Sequence, residues 1–305
     1  MSDPLIGIII LNTNRKDDTL ACLSSLQNCR YPNLVTWVLD NSSSDGSVEA
    51  ICDQYPQTRI IRLTENKGYA GNNNAGIHAA LQAGADWVFV LNEDTILDPL
   101  SISHLIQFGI SNQQAGILGP LVYHFDEPEI IQSAGGKITK SWQAIHIGQN
   151  EQDQGQFIQP IQVDWISGCA ILIRREVIEQ VGGIDERYFY YWEETEWCIR
   201  ARSAGWQVWM VPQAKIWHKG VQRNYQPSPN VTYYATRNRL LTLSKHRASF
   251  SDRVGVNIAL FRTLLAWSFL PRWKNKKPHR NALLQGMIDF YSNHFGARRK
   301  IKILD

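Results

Sequence analysis

Residues 5–11 read Leu5-Ile6-Gly7-Ile8-Ile9-Ile10-Leu11, an unbroken apolar run that gives way at once to Asn12-Thr13-Asn14. A strand without polar alternation has both faces covered, which points to a parallel sheet with helices on each side. The pattern then repeats. Residues 17–28 place Leu20, Leu23 and Leu26 at near-helical spacing, and residues 36–39 form a second strand ending at Asp40. A short helix over 47–54 leads to a third strand over 59–63. Residues 66–74 read as a Gly/Asn-rich loop, 75–83 as a helix, and 87–91 as a fourth strand ending in Asn92-Glu93-Asp94. This alternation predicts a doubly wound, mainly parallel α/β sheet flanked by helices. Polar clusters just past the strand ends lie where open sheets of this kind bind ligands.

Past residue 98 the pattern loosens. A helix is expected over 104–111 and a strand over 116–123, with an irregular or hairpin insertion at 124–160. Residues 164–174 return to a strand through Trp165-Ile166-Ser167-Gly168, and 176–181 form a short helix closed by Gly182-Gly183. The last strand is expected over 207–211. From about residue 232 the chain reads as helices, with Leu284, Met287, Ile288, Tyr291 and Phe295 spaced to make one apolar face.

Charge and cysteine usage remove several classes. Residues 245–305 hold 13 Lys and Arg against 3 Asp and Glu, a net of +10, whereas the remainder holds 18 against 25, a net of −7. An acidic body is a poor docking face for duplex DNA, so no nucleic-acid partner is expected. Cys22, Cys29, Cys52, Cys169 and Cys198 are scattered, which argues against a disulfide framework or a structural zinc site and favours a reducing compartment. The first residues lack a basic n-region and enter a strand directly, unlike a signal peptide. The longest apolar stretch, 254–271, is interrupted by Asn257 and Arg262, short of the roughly 20 apolar residues of a bilayer span. The expected location is cytoplasmic, at most peripheral on the inner face of a membrane.

Several clusters could carry chemistry, each with a plainer alternative. Asn92-Glu93-Asp94 at a strand end suits a hard divalent cation, or simply caps the next helix. Asp40 could accept hydrogen bonds from a base or ribose, or belong to an Asx-turn through Asp45-Gly46. Glu193-Glu194-Thr195-Glu196 follows Tyr188-Phe189-Tyr190-Tyr191-Trp192. Like charges and apolar surroundings raise carboxylate pKa values, as a general base needs, yet acidic residues also favour any first helical turn. His218 is by itself a structural histidine, and Lys219, Arg223 and Arg237-Asn238-Arg239 suit a diphosphate or an exposed basic turn. Gly68-Tyr69-Ala70-Gly71 matches neither a Walker nor a dinucleotide fingerprint, which disfavours a nicotinamide-dependent reductase. A sugar nucleotidyltransferase would need a basic Gly-rich loop that residues 7–15 do not supply.

In order along the chain, these motifs resemble a family 2 glycosyltransferase of the rhamnosyltransferase-like branch. The resemblance rests on residues 8–15, Val38 to Ser47, Asn66 to Ile77, Leu91 to Thr95, Trp165 to Ala170, Gly182 to Glu186, Phe189 to Arg202 and Tyr233 to Leu240. It implies a GT-A fold with a C-terminal helical segment, and inverting transfer of a sugar from a dTDP- or UDP-linked donor. The implied acceptor is a saccharide or lipid-linked oligosaccharide in cell-surface polysaccharide synthesis. By position, Asn12, Thr13, Asn14, Asp40, Asn73, Asn74 and Asn92 bind the nucleotide. Asp94, with His218, holds Mg²⁺ or Mn²⁺, and Arg237 meets the diphosphate. Trp165, Ser167, Gly168 and Trp192 face the sugars. Glu194 is the base, with Glu193 as its substitute.

Two departures matter: the first Asp of the family's metal motif is Asn92, and the catalytic Asp is Glu194, whose extra methylene moves the carboxylate by about 1 Å. They leave a catalytically lapsed, nucleotide-sugar-binding protein as the alternative. The expected division is a nucleotide-sugar half at 1–98, an acceptor and catalytic-base half of the same domain at 99–245, and basic amphipathic helices at 246–305. Apolar residues next to Arg272, Lys274, Lys276, Lys277 and Arg280 suit an anionic membrane surface, or else pack on the core.

Overall fold

A computed structural model describes residues 3–220 and 222–299. The N-terminal half runs β1 (Ile6–Asn12), α1 (Lys16–Gln27), β2 (Leu34–Asp40), α2 (Ser47–Gln54), β3 (Arg59–Arg62), α3 (Gly68–Gln82) and β4 (Trp87–Asn92). Next come β5 (Thr95–Leu97), α4 (Ser101–Ser111), β6 (Ala115–His124), β7 (Ile131–Ser133), β8 (Gly136–Ile138), β9 (Ala144–His146) and β10 (Ile161–Gln162). The chain continues through β11 (Ala170–Arg174), α5 (Arg175–Val181), α6 (Glu193–Ser203) and β12 (Gln207–His218). It ends in α7 (Pro229–Lys245), α8 (Phe250–Phe269), a 3-10 turn (Pro271–Lys276) and α9 (Lys277–Tyr291).

One sheet orders its strands β10-β12-β6-β11-β4-β1-β2-β3, with β5 added beside β12 and β7 beside β6. β3, β2, β1 and β4 are mutually parallel, as are β6 and β12, while β11 runs antiparallel between β4 and β6. The sheet is thus mixed but mainly parallel, and it passes without interruption through the expected boundary at residue 98.

Strand alternation distributes the apolar residues to two layers. Ile6, Ile8, Ile10, Trp87, Phe89 and Leu91 pack with Leu23, Leu26, Ile51, Leu105 and Ile106 of α1, α2 and α4. Ile9, Val88 and Val90 pack the opposite way with Ile77 and Ala80 of α3, Val177 of α5 and Trp197 of α6. Full burial of each such side chain contributes about 1.5–3 kcal/mol. The helix α3 lies unusually close to the sheet: a Cβ on Gly76 would stand 2.5 Å from Ile9 Cγ2, and one on Gly7 2.5 Å from Ala80 Cβ.

Four expectations need correction. Residues 68–74 are helix rather than loop, because tertiary bonds override weak helix propensity. Asn72 Oδ1 accepts from the Lys67 amide at 3.0 Å, and Asn74 Oδ1 from the Ile184 amide at 2.9 Å. Residues 165–169 turn before β11 starts, with the Ala170 amide bonded back to Ser167 O. The last strand extends to His218 through a register shift between Val211 and Lys215. In α9 the supposed apolar face is misplaced: Ile288 and Tyr291 are 51% and 62% exposed, while Ala282, Leu283, Gly286 and Asp289 are buried. Asp289 accepts a 2.7 Å bond from Tyr233 Oη and pairs with Arg299, so a polar anchor turns the helix. Residues 300–305 of the basic segment lie outside the described residues.

Replacing Gly76 with Ala is expected to lower the unfolding free energy by about 1–3 kcal/mol through overpacking against Ile9. Urea denaturation would register this as a lower midpoint at unchanged slope. An unchanged midpoint would refute the close packing of α3.

Candidate active site

A cleft of about 620 Å³ opens beyond the C-terminal ends of β1, β2 and β4. Thr13, Arg15 and Asn41 line one side, Asn92, Glu93, Asp94 and His218 its floor, and Trp165, Ser167, Gly168, Trp192, Glu193 and Glu194 the far wall. Its size falls within the usual range for small-ligand sites.

The loops after β1 and β2 are fastened to each other. Buried Asn12 donates through Nδ2 to Ser47 Oγ at 2.8 Å and Ser43 Oγ at 3.0 Å, and its Oδ1 accepts from Thr19 at 2.9 Å. Asn14, with φ of 52°, accepts the Ser44 amide at 2.7 Å, and Asp40 Oδ1 accepts the Ser43 amide at 3.3 Å. Asn12, Asn14 and Asp40, expected to bind the nucleotide, thus fasten these loops and do not line the cleft, whereas Thr13 and Asn41 do.

The floor is set by strand pairing. Antiparallel register between β5 and β12 places His218 opposite Thr95, beside Asp94. Gln132 Oε1 lies 2.7 Å from His218 Nδ1, a contact in which Nδ1–H donates to the amide oxygen, and Nε2 faces Asp94. Nε2 lies 3.1 Å from Asp94 Oδ1 and 3.3 Å from Asn92 Nδ2. Yet Asp94 Oδ1 is buried without an aligned hydrogen bond. A buried carboxylate oxygen beside an imidazole nitrogen and an amide is a donor set that fits a hard cation. Adjacent ligands on an octahedral ion with bonds of about 2.1 Å stand about 3.0 Å apart. Among the described residues no group of three or more His, Cys, Asp or Glu could hold a metal ion. Water and phosphate oxygens would complete such a shell. Glu93, beside this corner, is pushed up to about 7 by burial and by the charge of Asp94.

The far wall is the start of α6. Glu193 is 4% exposed and its Oε2 has no hydrogen bond. Burial raises both Glu193 and Glu194 above the ordinary carboxylate range, and the charge of Glu194 raises Glu193 further. Glu196, two residues on, is different. Burial opposes its ionisation, but His246, Arg200 and Lys245 hold its carboxyl below the usual range. Across the cleft Tyr69 Oη donates to Gly168 O at 2.5 Å, fixing the turn that packs on Glu194. Trp165 is buried with its ring against Gly136, and it lines the cleft together with His146.

Three more of the expected site residues also lie off the cleft. Asn73 donates to Tyr69 O at 2.9 Å within α3, and Asn74 holds the Ile184 backbone. Asn66 and Asn72 of the same run line the cleft instead. Arg237 is fully buried and donates to backbone carbonyls of Arg187, Tyr188 and Gly296, so it meets no diphosphate. Arg15 is the cleft-lining cation that residue-type reasoning passed over. It stands directly after the Asn-Thr-Asn turn, which was the available signal. Lys219 is paired with Asp18 at 2.9 Å and Arg223 with Glu127 at 3.3 Å.

The family model for glycosyl transferase family 2 matches residues 7–182, more than half of the chain. The chain is 29% identical over 279 residues to N-acetylglucosaminyl-diphospho-decaprenol L-rhamnosyltransferase of Mycobacterium tuberculosis, covering 84% of this chain and 91% of that protein. It is 24% identical over 301 residues to the dTDP-rhamnosyl transferase RfbF of Shigella flexneri, covering 94% and 96%. Among solved structures, mannosyltransferase PcManGT from Pyrobaculum calidifontis, in complex with GDP-Man and Mn²⁺, superposes with a TM-score of 0.60. That match has 12% identity and covers 96% of this chain and 88% of the other. The shared fold is GT-A.

The raised Glu193 makes a stability prediction with a definite sign. The folded state keeps a proton that the unfolded chain releases near pH 4.3, so stability falls as pH rises above that value. Glu193→Gln is therefore expected to melt higher than the parent at pH 7–8, with the gap closing near pH 4. An equal gap at both pH values would contradict an uncompensated buried carboxylate.

Proposed function

The chain belongs to glycosyl transferase family 2, and on that premise we propose that it moves rhamnose, with inversion, from a dTDP- or UDP-linked donor to a hydroxyl of a lipid-linked saccharide. Two relatives are named rhamnosyltransferases, one with a dTDP-linked sugar in its name and one with a diphospho-decaprenol. Both support a role in assembling a cell-surface polysaccharide. The observation that carries the reading is one cleft holding a cation-suited corner at Asp94 and His218 together with a carboxylate pair, Glu193 and Glu194, that has no counter-ion among the described residues.

In this reading residues 3–98 seat the nucleotide on the bracketed loops after β1 and β2. Residues 99–245 provide the acceptor side and the base. A divalent cation held by Asp94 and His218, Mg²⁺ or Mn²⁺, would neutralise charge on the departing diphosphate. Arg15 adds a fixed positive charge on the same side. Glu194 takes the proton of the acceptor hydroxyl, whose oxygen attacks the anomeric carbon opposite the diphosphate. The new glycosidic bond forms as the bond to diphosphate oxygen breaks, so configuration inverts without a covalent enzyme intermediate. Trp192 and Trp165 supply aromatic faces for sugar rings, and a buried base has its pKa drawn toward neutral pH, where proton transfer is most effective.

The lipid acceptor connects to the helical segment. Phe250, Val254, Ile258, Phe261, Leu265 and Phe269 form an exposed stripe along α8, with Phe250 83% and Phe269 77% exposed. Basic Arg262, Arg272, Lys274 and Lys277 are exposed beside it or just beyond its end. Among the described residues no single helix is long and apolar enough to cross a membrane. An apolar stripe edged by cations suits a helix lying in an anionic lipid surface. The occupant proposed for this face is such a surface.

Two experiments test these readings. Glu194→Gln should lower transfer at least about 100-fold while UDP and dTDP still bind. Full activity in that variant removes Glu194 as the base. Nucleotide binding without transfer by the parent chain, across dTDP-rhamnose, UDP-galactose and UDP-glucose with Mg²⁺ or Mn²⁺, marks it as catalytically lapsed. The chain should sediment with phosphatidylglycerol vesicles and not with phosphatidylcholine ones. Replacing Arg272 and Lys274 together with Gln should weaken that binding by about 30-fold, at about 1 kcal/mol per charge. A stable dimer without vesicle binding would assign the stripe to a second copy.

A further inference from the structure

The strained approach to α6 is held from behind by two residues that never reach the cleft. Phe189, Tyr191 and Trp192 have φ values of 64°, 65° and 75°, so three aromatic side chains occupy the left-handed region within four positions. Each such residue is destabilised unless its surroundings impose the conformation. Trp192 is the residue from which α6 departs, and Glu193 and Glu194 are its first two helical residues. Neither glutamate forms a salt bridge among the described residues, so backbone geometry at this turn decides where the carboxylates point.

The turn is imposed by α7. Asn238 is fully buried, and its Nδ2 donates to three carbonyls: Tyr188 O at 2.9 Å, Tyr190 O at 2.9 Å and Tyr191 O at 2.7 Å. Two N–H bonds facing three acceptors require at least one shared hydrogen. The amide orientation is fixed by its neighbour, since Arg237 Nε donates to Asn238 Oδ1 at 3.0 Å. Arg237 Nη2 then donates to Arg187 O at 3.1 Å and Tyr188 O at 2.9 Å. From the opposite side the loop closes on Gly68, where a Cβ would stand 2.2 Å from Phe189 O.

We propose that Arg237 and Asn238 are positioning residues for transfer: they gather the carbonyls of Arg187, Tyr188, Tyr190 and Tyr191, and thereby aim Glu194 and the Trp192 ring into the cleft. The inference rests on the reading of Glu194 as the base. It gives a role to Arg237, which is 0% exposed and does not line the cleft. Misplacement of a catalytic group by about 1 Å is enough to cost about 100-fold in rate, and loss of three bonds to one turn permits a shift of that size.

The test compares Asn238→Ala with Leu243→Ala, which opens the packing of the same helix without touching the loop. Both should melt lower than the parent. Asn238→Ala should lower kcat by about 10- to 100-fold, while donor KM and the affinity for UDP and dTDP stay within about twofold. Leu243→Ala should keep the parent's kcat below its melting temperature. Amide hydrogen exchange at residues 188–195 should quicken in Asn238→Ala and not in Leu243→Ala. Arg237→Lys retains the charge but not the fork, so it should fall between Asn238→Ala and the parent.

An Asn238→Ala protein with parental kcat overturns the proposal, as does an equal loss of kcat in Leu243→Ala. The two readings fail separately. Activity retained by Glu194→Gln but lost in Asn238→Ala removes the base and leaves the loop's role. The reverse pattern removes the clamp and leaves the base.

Discussion

Two adjacent buried carboxylates, Glu193 and Glu194, with no cation paired to them among the described residues, are the arrangement on which the proposed site depends. Taking a charged group out of water costs several kcal/mol, and a second one next to it makes ionisation of both harder still. The protein had the alternative at hand. Glu196, on the same helix, is met by Arg200 in two bonds of 3.1 Å, by Lys245 at 2.9 Å and by His246 at 3.0 Å. Among the described residues Glu193 and Glu194 receive no cation: they have the start of a helix, whose N-terminal amides favour negative charge by less than about 1 kcal/mol at an ordinary site, and Glu194 a 3.4 Å bond from Thr195 Oγ1. Environments that push neighbouring carboxylates in opposite directions separate a structural anion from a chemical one. Here the separation takes place within four residues.

Much of this was legible in the chain, for identifiable reasons. Continuous apolar runs such as residues 6–10 read as strands covered on both faces, and strand ends decide where ligands bind, so Asp94 and the Glu193-Glu194 pair stand out as candidates by residue type and Thr13 by the family resemblance; all four line one cleft. The errors came from side chains whose partners are distant in sequence. Asn72 and Asn74 read as loop residues because a mid-helix Asn normally weakens a helix. Nothing within ten positions announces that Ile184 will take up Asn74. Arg237 read as a phosphate ligand because an isolated basic pair has an exposed turn or an anion as its local explanations. Its carbonyl partners lie about 50 positions earlier. The α9 face was misread because hydrophobic spacing was counted while Asp289, a buried acid with Tyr233 and Arg299 on it, set the rotation of the helix.

The position of His218 illustrates how the sheet builds chemistry from far-apart segments. β12 continues past Val211 through a register shift, and its last residue arrives opposite Thr95. The backbone adds a further tie, the Lys219 amide to Asp94 O at 3.0 Å. A floor made of residues 92–94 and 218 is therefore as rigid as the sheet itself. The wall opposite is a loop in strained conformation held from a separate helix. Rigid floor and fastened wall divide the proposed demands of the site: the floor would carry charge neutralisation and the wall proton removal.

The antiparallel strand β11 has a consequence for how the chain comes into being. β4 is paired with β1 on one side and with β11 on the other. A ribosome delivers β4 by residue 92 but β11 only by residue 174. At roughly 5–20 residues per second, that leaves an open strand edge for several seconds. An uncovered apolar edge is a template for another chain. The 77 residues between them hold β6 and β7, which cannot join the sheet until β11 bridges the gap. The strand that joins the two parts of the sheet is thus also the one that covers the open edge of β4 in the nascent chain.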